Sequence, residues 1–323
     1  MTDKLKISFL IQEFLYIVIV TVLFYFSSVI YTNKVIQIPS GSVNYIISYL
    51  TQKQQPLNLL DNIALRLMGS PQKGWIDIGA YELSRLDYLH KLTTSKAPTT
   101  TVTLIPGETY YFFLKEIASK LNLSFEKLKL AYDKQKIAKD GNILADSYNI
   151  PHGASEDRVI FFLIEHSKKR YEKFSQKIFS DFNQKNWYRY ITIASIIQKE
   201  SASIKEMPIV SSVIHNRLKI GMPLQMDGTL NYGEFSHKVI TPHMIRTDSS
   251  SYNTYKNKGI PTDPICAVSL EAIKAAIKPA NTKFLYFVKI KNQNKHKFTT
   301  THKQHKQRIE KNRKIKDLYK NIK

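Results

Sequence analysis

Residues 194–200 read Ala-Ser-Ile-Ile-Gln-Lys-Glu, so one carboxylate, Glu200, closes an otherwise apolar run. Ile193, Ile196 and Ile197 precede it by seven, four and three residues, which places all four on one face of a helix. A carboxyl on an apolar face is desolvated, and desolvation disfavours its charged form. Such an acid can keep its proton near neutral pH and act as a general acid. The same periodicity admits a plainer reading, a solvated charge at the end of a core helix. Polar groups suited to a sugar follow. Gln225 carries both a donor and an acceptor for hydroxyl and acetamide groups. Asp227 could orient a neighbour or touch a sugar, or it could be a turn-forming Asp ahead of Gly228. Tyr252, Asn253, Thr254 and Tyr255 interleave aromatic faces with hydrogen-bonding groups, a pattern that fits either pyranose recognition or a structural turn. Arg217, beside Asn216, could pair with a ligand carboxylate or with an acid of the protein itself.

Other chemistries find less support. His302 and His305 lie in a basic segment without a third ligand or a carboxylate cluster, so no metal site is expected. No Walker loop, Gly-x-Gly-x-x-Gly or Gly-x-Ser-x-Gly is present, which argues against nucleotide, dinucleotide and serine-hydrolase chemistry. No cofactor is called for.

Taken with its neighbours, the 194–200 segment resembles the core motif of the endolytic murein transglycosylases, the YceG-like or MltG family. That family carries Ala-Ser-Ile-(Ile/Val)-Glu-Lys-Glu, then Asn-Arg-Leu, then Leu-Gln-(Ser/Thr)-Asp-Pro-Thr-Val-x-Tyr-Gly. Here the second and third are Asn216-Arg217-Leu218 and Leu224-Gln225-Met226-Asp227-Gly228-Thr229-Leu230-Asn231-Tyr232-Gly233. Further matches are Ser250-Ser251-Tyr252-Asn253-Thr254-Tyr255, Gly259-Ile260-Pro261-Thr262-Asp263-Pro264-Ile265, and Ala276-Ile277-Lys278-Pro279-Ala280 followed by Phe284-Leu285-Tyr286-Phe287-Val288. Motifs in this order are far more specific than any one alone. The resemblance implies Glu200 as the catalytic acid and base. It implies substrate contacts from Asn216, Arg217, Gln225, Asp227, Thr229, Tyr232, Tyr252, Asn253, Thr254 and Tyr255. Four positions depart from the pattern: Gln198 stands where the family often has Glu, Met226 for Ser or Thr, and Gly228 and Ser251 for Pro. The Asn-Pro-Gly usual after Pro-Ile is replaced by Cys266-Ala267-Val268-Ser269. These changes bear on loop geometry and subsites.

The elements that must position these residues are legible in outline. Phe14 to Tyr31 is an uncharged run of 18 residues, about 27 Å as a helix, close to the thickness of a hydrocarbon core. Lys4 and Lys6 precede it, Tyr16, Tyr25 and Tyr31 suit interfaces, and no Ala-x-Ala cleavage site follows. An uncleaved transmembrane helix is expected over 14–31, with 1–13 before it. Val35 to Ile38 reads as a strand, Ser42 as a cap before helix-spaced Val43, Ile46, Ile47 and Leu50, and Leu59 to Met68 as a second helix. Ile76 to Leu83 reads as strand or hairpin, and Leu86, Leu89 and Leu92 open another helix. This gives a β-α-α-β unit over 35–98. A second such pattern, over 99–152, has a Pro106-Gly107 turn and helix faces at Phe113, Ile117 and Leu121 and at Phe125 to Tyr132. It resembles a LysM module, the small fold that binds N-acetylglucosamine-containing glycans; a packing subdomain is the alternative. The remainder, 153–323, is expected as the YceG-like catalytic domain. It should have helices at 160–179, 187–200, 210–218 and 270–277, loops and short strands over 223–264, a strand at 284–290 and a basic helix at 303–319. The fold class is therefore α+β.

A net charge of +22 and a pI near 9.7 favour an anionic partner. Half of that charge is local: residues 289–323 hold 13 Lys and Arg against Glu310 and Asp317, net +11. The single cysteine, Cys266, excludes an internal disulfide and fits either the cytosol or a cell envelope that does without disulfides. The resemblance implies a bacterial inner-membrane protein with one span and a periplasmic catalytic domain. It would act on nascent peptidoglycan glycan strands, with the peptidoglycan synthases as neighbours. A non-catalytic LysM-like glycan-binding or scaffold protein is the competing expectation. A tethered nucleic-acid binder is a weaker one, since no recognition motif accompanies the basic tail, and no nucleic acid is expected.

Overall fold

The computed structural model describes residues 3–53, 55–290 and 293–320. The first two residues of the expected 1–13 flank and the last three of the basic end lie outside the described residues. Contacts divide the chain into one unit of residues 1–100 with 149–155 and a second of residues 101–148 with 156–323.

The first unit begins with α1, Asp3–Ser27. Its 21-residue stretch Ile7–Ser27 is the one described helix long and apolar enough to cross a membrane. Phe9, Leu10, Phe14, Ile17 and Leu23 are all exposed along it, and only its last turn meets protein, where Phe26 packs on the core and the Tyr25 hydroxyl donates to Asp61 at 2.8 Å. The apolar run of the sequence and the helix differ at both ends. The helix starts earlier, and the run's last residues leave it: the Ser27 and Ser28 hydroxyls donate back to the carbonyls of Phe24 and Tyr25, at 2.9 and 2.7 Å. Val29–Tyr31 then form β1, antiparallel to β4, Glu82–Ser84. Hydropathy counts apolar side chains and is blind to a pairing partner more than 50 residues away.

Between these strands lie β2 (Val35–Ile38), α2 (Val43–Gln52), α3 (Leu59–Met68) and β3 (Gly74–Asp77), and after them α4 (Arg85–Thr94). The Ser42 hydroxyl accepts from the Tyr45 N–H and caps α2; Asn58 and Asp61 form a capping box on α3. β3 pairs with β2 rather than with β4, so residues 76–83 are not a hairpin but two strands serving two ribbons. Ile36, Ile38, Ile46, Leu50, Leu65, Ile76, Leu89 and Leu92 close the core. Beneath α4 the Arg85 guanidinium lies 2.8 Å from the buried Asp61 carboxylate.

Strands β5 (Thr99–Thr103) and β6 (Ser147–Pro151) pair with each other. Within the second unit α5 (Tyr110–Leu121) and α6 (Phe125–Gln135) pack together, and α6 packs on α7, Glu156–Phe179. Helix α8, Gln184–Glu200, is the centre of this unit. Its residues Ile191 to Ile197 are all buried, so it needs partners on every side. It finds them in α9 (Met207–Lys219) and α11 (Leu270–Ile277), which contribute Val210, Val213, Ile214, Ala272 and Ile273 to one core. Polar groups of α8 tie down the segment that leads into α11. The Ser195 hydroxyl accepts from the Ile265 N–H at 3.0 Å, and Gln198 Oε1 accepts from the N–H and hydroxyl of Ser269, the cap of α11.

Residues 223–264 hold 3-10 turns at Asp227–Leu230 and Gly233–Phe235 and the short α10, Pro242–Thr247. The short strands expected there are absent among the described residues. Side chains take up the backbone groups instead: Asn253 Nδ2 donates to the Ile245 and Asp248 carbonyls, and Asn231 Nδ2 to those of Phe235 and Lys238. The expected strand near 284–290 is β7, Tyr286–Lys289; it pairs with an unforeseen β8, His296–Thr299, and α12 (His302–Lys320) follows.

Candidate active site

Glu200 is the last residue of α8, half-buried, and its Oε1 accepts a hydrogen bond of 2.9 Å from the backbone N–H of Gly228. The approach is close. A Cβ on residue 228 would lie 2.8 Å from Glu200 Oε1 and 2.9 Å from Lys199 Cβ, so this turn needs glycine. Burial pushes the Glu200 carboxyl up to about 7; the Asp227 charge pushes the same way, and the Gly228 N–H and Arg217 oppose them. Near neutral pH the group therefore has both forms to offer, as a donor and as an acceptor of a proton.

Asp227 is exposed and its Oδ1 accepts from the Tyr255 hydroxyl at 2.7 Å. Burial, then the Asp227 carboxylate, raises the Tyr255 phenol above its ordinary range, so it stays a donor. Below these groups the turn is locked. Gln225, in a left-handed conformation with φ of 48°, donates its N–H to the Thr254 carbonyl. The Met226 N–H reaches Thr254 Oγ1 at 3.1 Å, and Thr229 Oγ1 donates to the Met226 carbonyl at 2.8 Å. Met226 is 2% exposed and belongs to the core, which its apolar side chain permits.

The residues singled out by sequence thus fall into groups. Glu200, Asp227, Tyr255 and Arg217 lie close enough to influence one another's charge. Arg217 is buried, donates to the carbonyls of Leu285 and Leu224, and lies over the Tyr286 ring at 5.3 Å. Asn216 directs its amide hydrogens to the Thr282 and Phe284 carbonyls. Thr229, Asn253 and Thr254 are fully buried and bond within the protein. The Gln225 side chain is exposed. Tyr232 and Tyr252 stack at 4.1 Å and line a cavity of about 200 Å³ with Tyr110, Lys139 and Asp140; Glu200 is not part of its wall. Sequence reasoning misses the Gly228 N–H, because a backbone donor has no residue code. The one available signal is a glycine directly after a candidate acid.

Residues 36–311 match the profile of the YceG-like family. The chain belongs to this family. It is 32% identical over 164 residues, 51% of its length, to a Bacillus subtilis protein named endolytic murein transglycosylase. It is 30% identical over 144 residues, 42% of its length, to a protein of that name from Streptococcus pneumoniae. The alignments span 44% and 26% of those two relatives, so the chain matches less than half of each. The fold is similar to the crystal structure of a yceG-like protein from Listeria monocytogenes, with a TM-score of 0.56 and 21% identity, covering 86% of this chain and 99% of that one.

Proposed function

We propose that this chain is a membrane-anchored endolytic peptidoglycan transglycosylase with Glu200 as its acid and base. The observation that carries the reading is the Glu200 carboxyl, pushed up to about 7 by burial and held by the Gly228 N–H at 2.9 Å. The names of the relatives supply the substrate. In the reaction, protonated Glu200 gives its proton to the oxygen of the β-1,4 bond between N-acetylmuramic acid and N-acetylglucosamine. The bond from the muramic C1 to that oxygen breaks. The C6 hydroxyl of the same muramic residue attacks C1, and its proton goes to the Glu200 carboxylate. A 1,6-anhydro end forms, no water is consumed, and Glu200 finishes protonated as it began. Glycosidases that hydrolyse need a second carboxylate to activate water or to attack the sugar; a substrate that supplies its own nucleophile does not.

In this reading Gln225, Asp227, Tyr232 and Tyr255 touch sugar, Asp227 being aimed by Tyr255. Asn216, Arg217, Thr229, Tyr252, Asn253 and Thr254 hold the wall of the cleft through the bonds described above. The paired β5-α5-α6-β6 segment is a LysM-like unit positioned along the glycan. Helix α1 is a single inner-membrane anchor with the rest of the chain periplasmic, where it would end nascent strands beside the synthases.

The test is mass analysis of products after incubating the full chain, in neutral detergent, with purified glycan strands. Ends lighter than reducing ends by one water are expected. Reducing ends carrying solvent oxygen would replace the reading with hydrolysis, for which Asp227 is the available second carboxylate. Binding without any new ends would favour a glycan-binding scaffold.

A further inference from the structure

Strand β8 and helix α12, with Phe284, wall an open cavity of about 490 Å³ whose lining includes Lys297, Thr299, Gln304, Arg308 and Lys311. Three features set it apart from a solvated charged face. Its lining contains three cations and no acid; Glu310, the one acid in residues 293–313, is not part of the wall. Lys297, Arg308 and Lys311 form no ion pair among the described residues. Thr299 is 8% exposed, and its hydroxyl is buried without a hydrogen-bond partner. A buried hydroxyl left unpaired is costly, so native structures leave few without a reason. Beside it the Gln304 carbonyl oxygen accepts from the Thr300 hydroxyl, which leaves the Gln304 amide hydrogens available to a ligand.

Donors without acceptors, together with a planar guanidinium and two ammonium groups, match an oxyanion with several oxygens. Phosphate meets this description better than a carboxylate, because its oxygens point in more than two directions and it can carry more than one charge. We propose that this cavity binds a phosphate group, carried by an anionic phospholipid headgroup or by a soluble di- or polyphosphate, at a site separate from Glu200. The Arg308 fork takes two oxygens, and Lys297, Lys311 and the Thr299 hydroxyl complete the shell.

The experiment uses the full chain in neutral-detergent micelles, titrated with inorganic pyrophosphate and read by calorimetry. Saturable one-to-one binding is expected. The triple variant K297Q/R308Q/K311Q should bind about 100-fold more weakly, at about fivefold for each cation removed. Thr299→Val, which keeps the shape and loses the hydroxyl, should weaken binding about tenfold. The control K303Q/K306Q/R313Q removes the same charge from α12 outside the cavity and should bind within a few-fold of the parent. A second arm places the chain in phosphatidylcholine nanodiscs with and without phosphatidylglycerol and measures acetylation rates of Lys297 and Lys311. Protection by phosphatidylglycerol identifies a lipid headgroup as the source; pyrophosphate binding without such protection identifies a soluble one. Absence of both, or equal losses in the two triple variants, overturns the proposal.

Discussion

Replacing Glu200 by Gln separates the chemistry of this side chain from its packing. The amide oxygen of Gln can still accept from the Gly228 N–H, so the contact at 2.9 Å survives while the proton does not. One general acid–base step is worth about 10²–10⁴-fold. In the proposed reaction one group serves both halves, so turnover should fall by about 10⁴-fold or more. Stability should move the other way. The carboxyl rises from an ordinary value of 4.5 to about 7, and each unit corresponds to about 1.36 kcal/mol. The folded state therefore binds this proton more tightly than the unfolded chain does. Its contribution is complete below pH 4.5 and is lost as the pH rises through about 7. Glu200→Gln should match the parent near pH 4 and exceed it at pH 8, by at most about 3 kcal/mol because the side chain is half-buried. Denaturant melts at the two pH values test the stability, and mass detection of anhydro ends tests the turnover. In the parent, kcat/KM should decline above about pH 7 as the acid form is lost. Near-normal release of anhydro ends by Glu200→Gln, with Asp227→Asn inactive, would transfer the catalytic role to Asp227. A stability difference independent of pH would refute the buried-acid argument.

Gly228→Ala places a Cβ 2.8 Å from Glu200 Oε1, so the carboxyl must shift; a displacement of about 1 Å should lower kcat by about 100-fold with little change in KM, measured by initial rates on glycan strands. Tyr255→Phe removes the 2.7 Å bond to Asp227 and should raise KM more than it lowers kcat, a loss of about tenfold in kcat/KM. Glu206 accepts from both the His296 N–H and imidazole at 2.8 Å; burial alone would raise its carboxyl, but these bonds hold it below the usual range. Its stabilisation is present above the usual carboxylate value and lost as the pH falls on through the lowered one. Glu206→Gln should therefore melt at a lower temperature than the parent near pH 7, with the gap closing as the pH falls below the usual carboxylate range.

Local features are readable wherever neighbours in sequence are also neighbours in space. The bounds of α3 and α11, the Ser42 cap and the apolar faces of α8 follow from helical spacing, which acts over a few residues. The order of motifs from 194 to 288 identifies the family for the same reason, since residue types in order are all that a sequence records. The pairing of β1 with β4 and of β2 with β3 is not readable, because many strands of similar composition can meet, and packing chooses among them. The two readings of Glu200 are likewise both open in sequence. Only the tertiary structure brings the Gly228 N–H and the Asp227 charge to the end of α8, from 28 and 27 residues away, and this supports the proposed acid. Arg217 likewise takes partners no sequence reading offers: its Nε and Nη1 donate to the Leu285 and Leu224 carbonyls. Composition sets which groups are available. Desolvation and hydrogen bonding between distant segments decide which of them are left free to act.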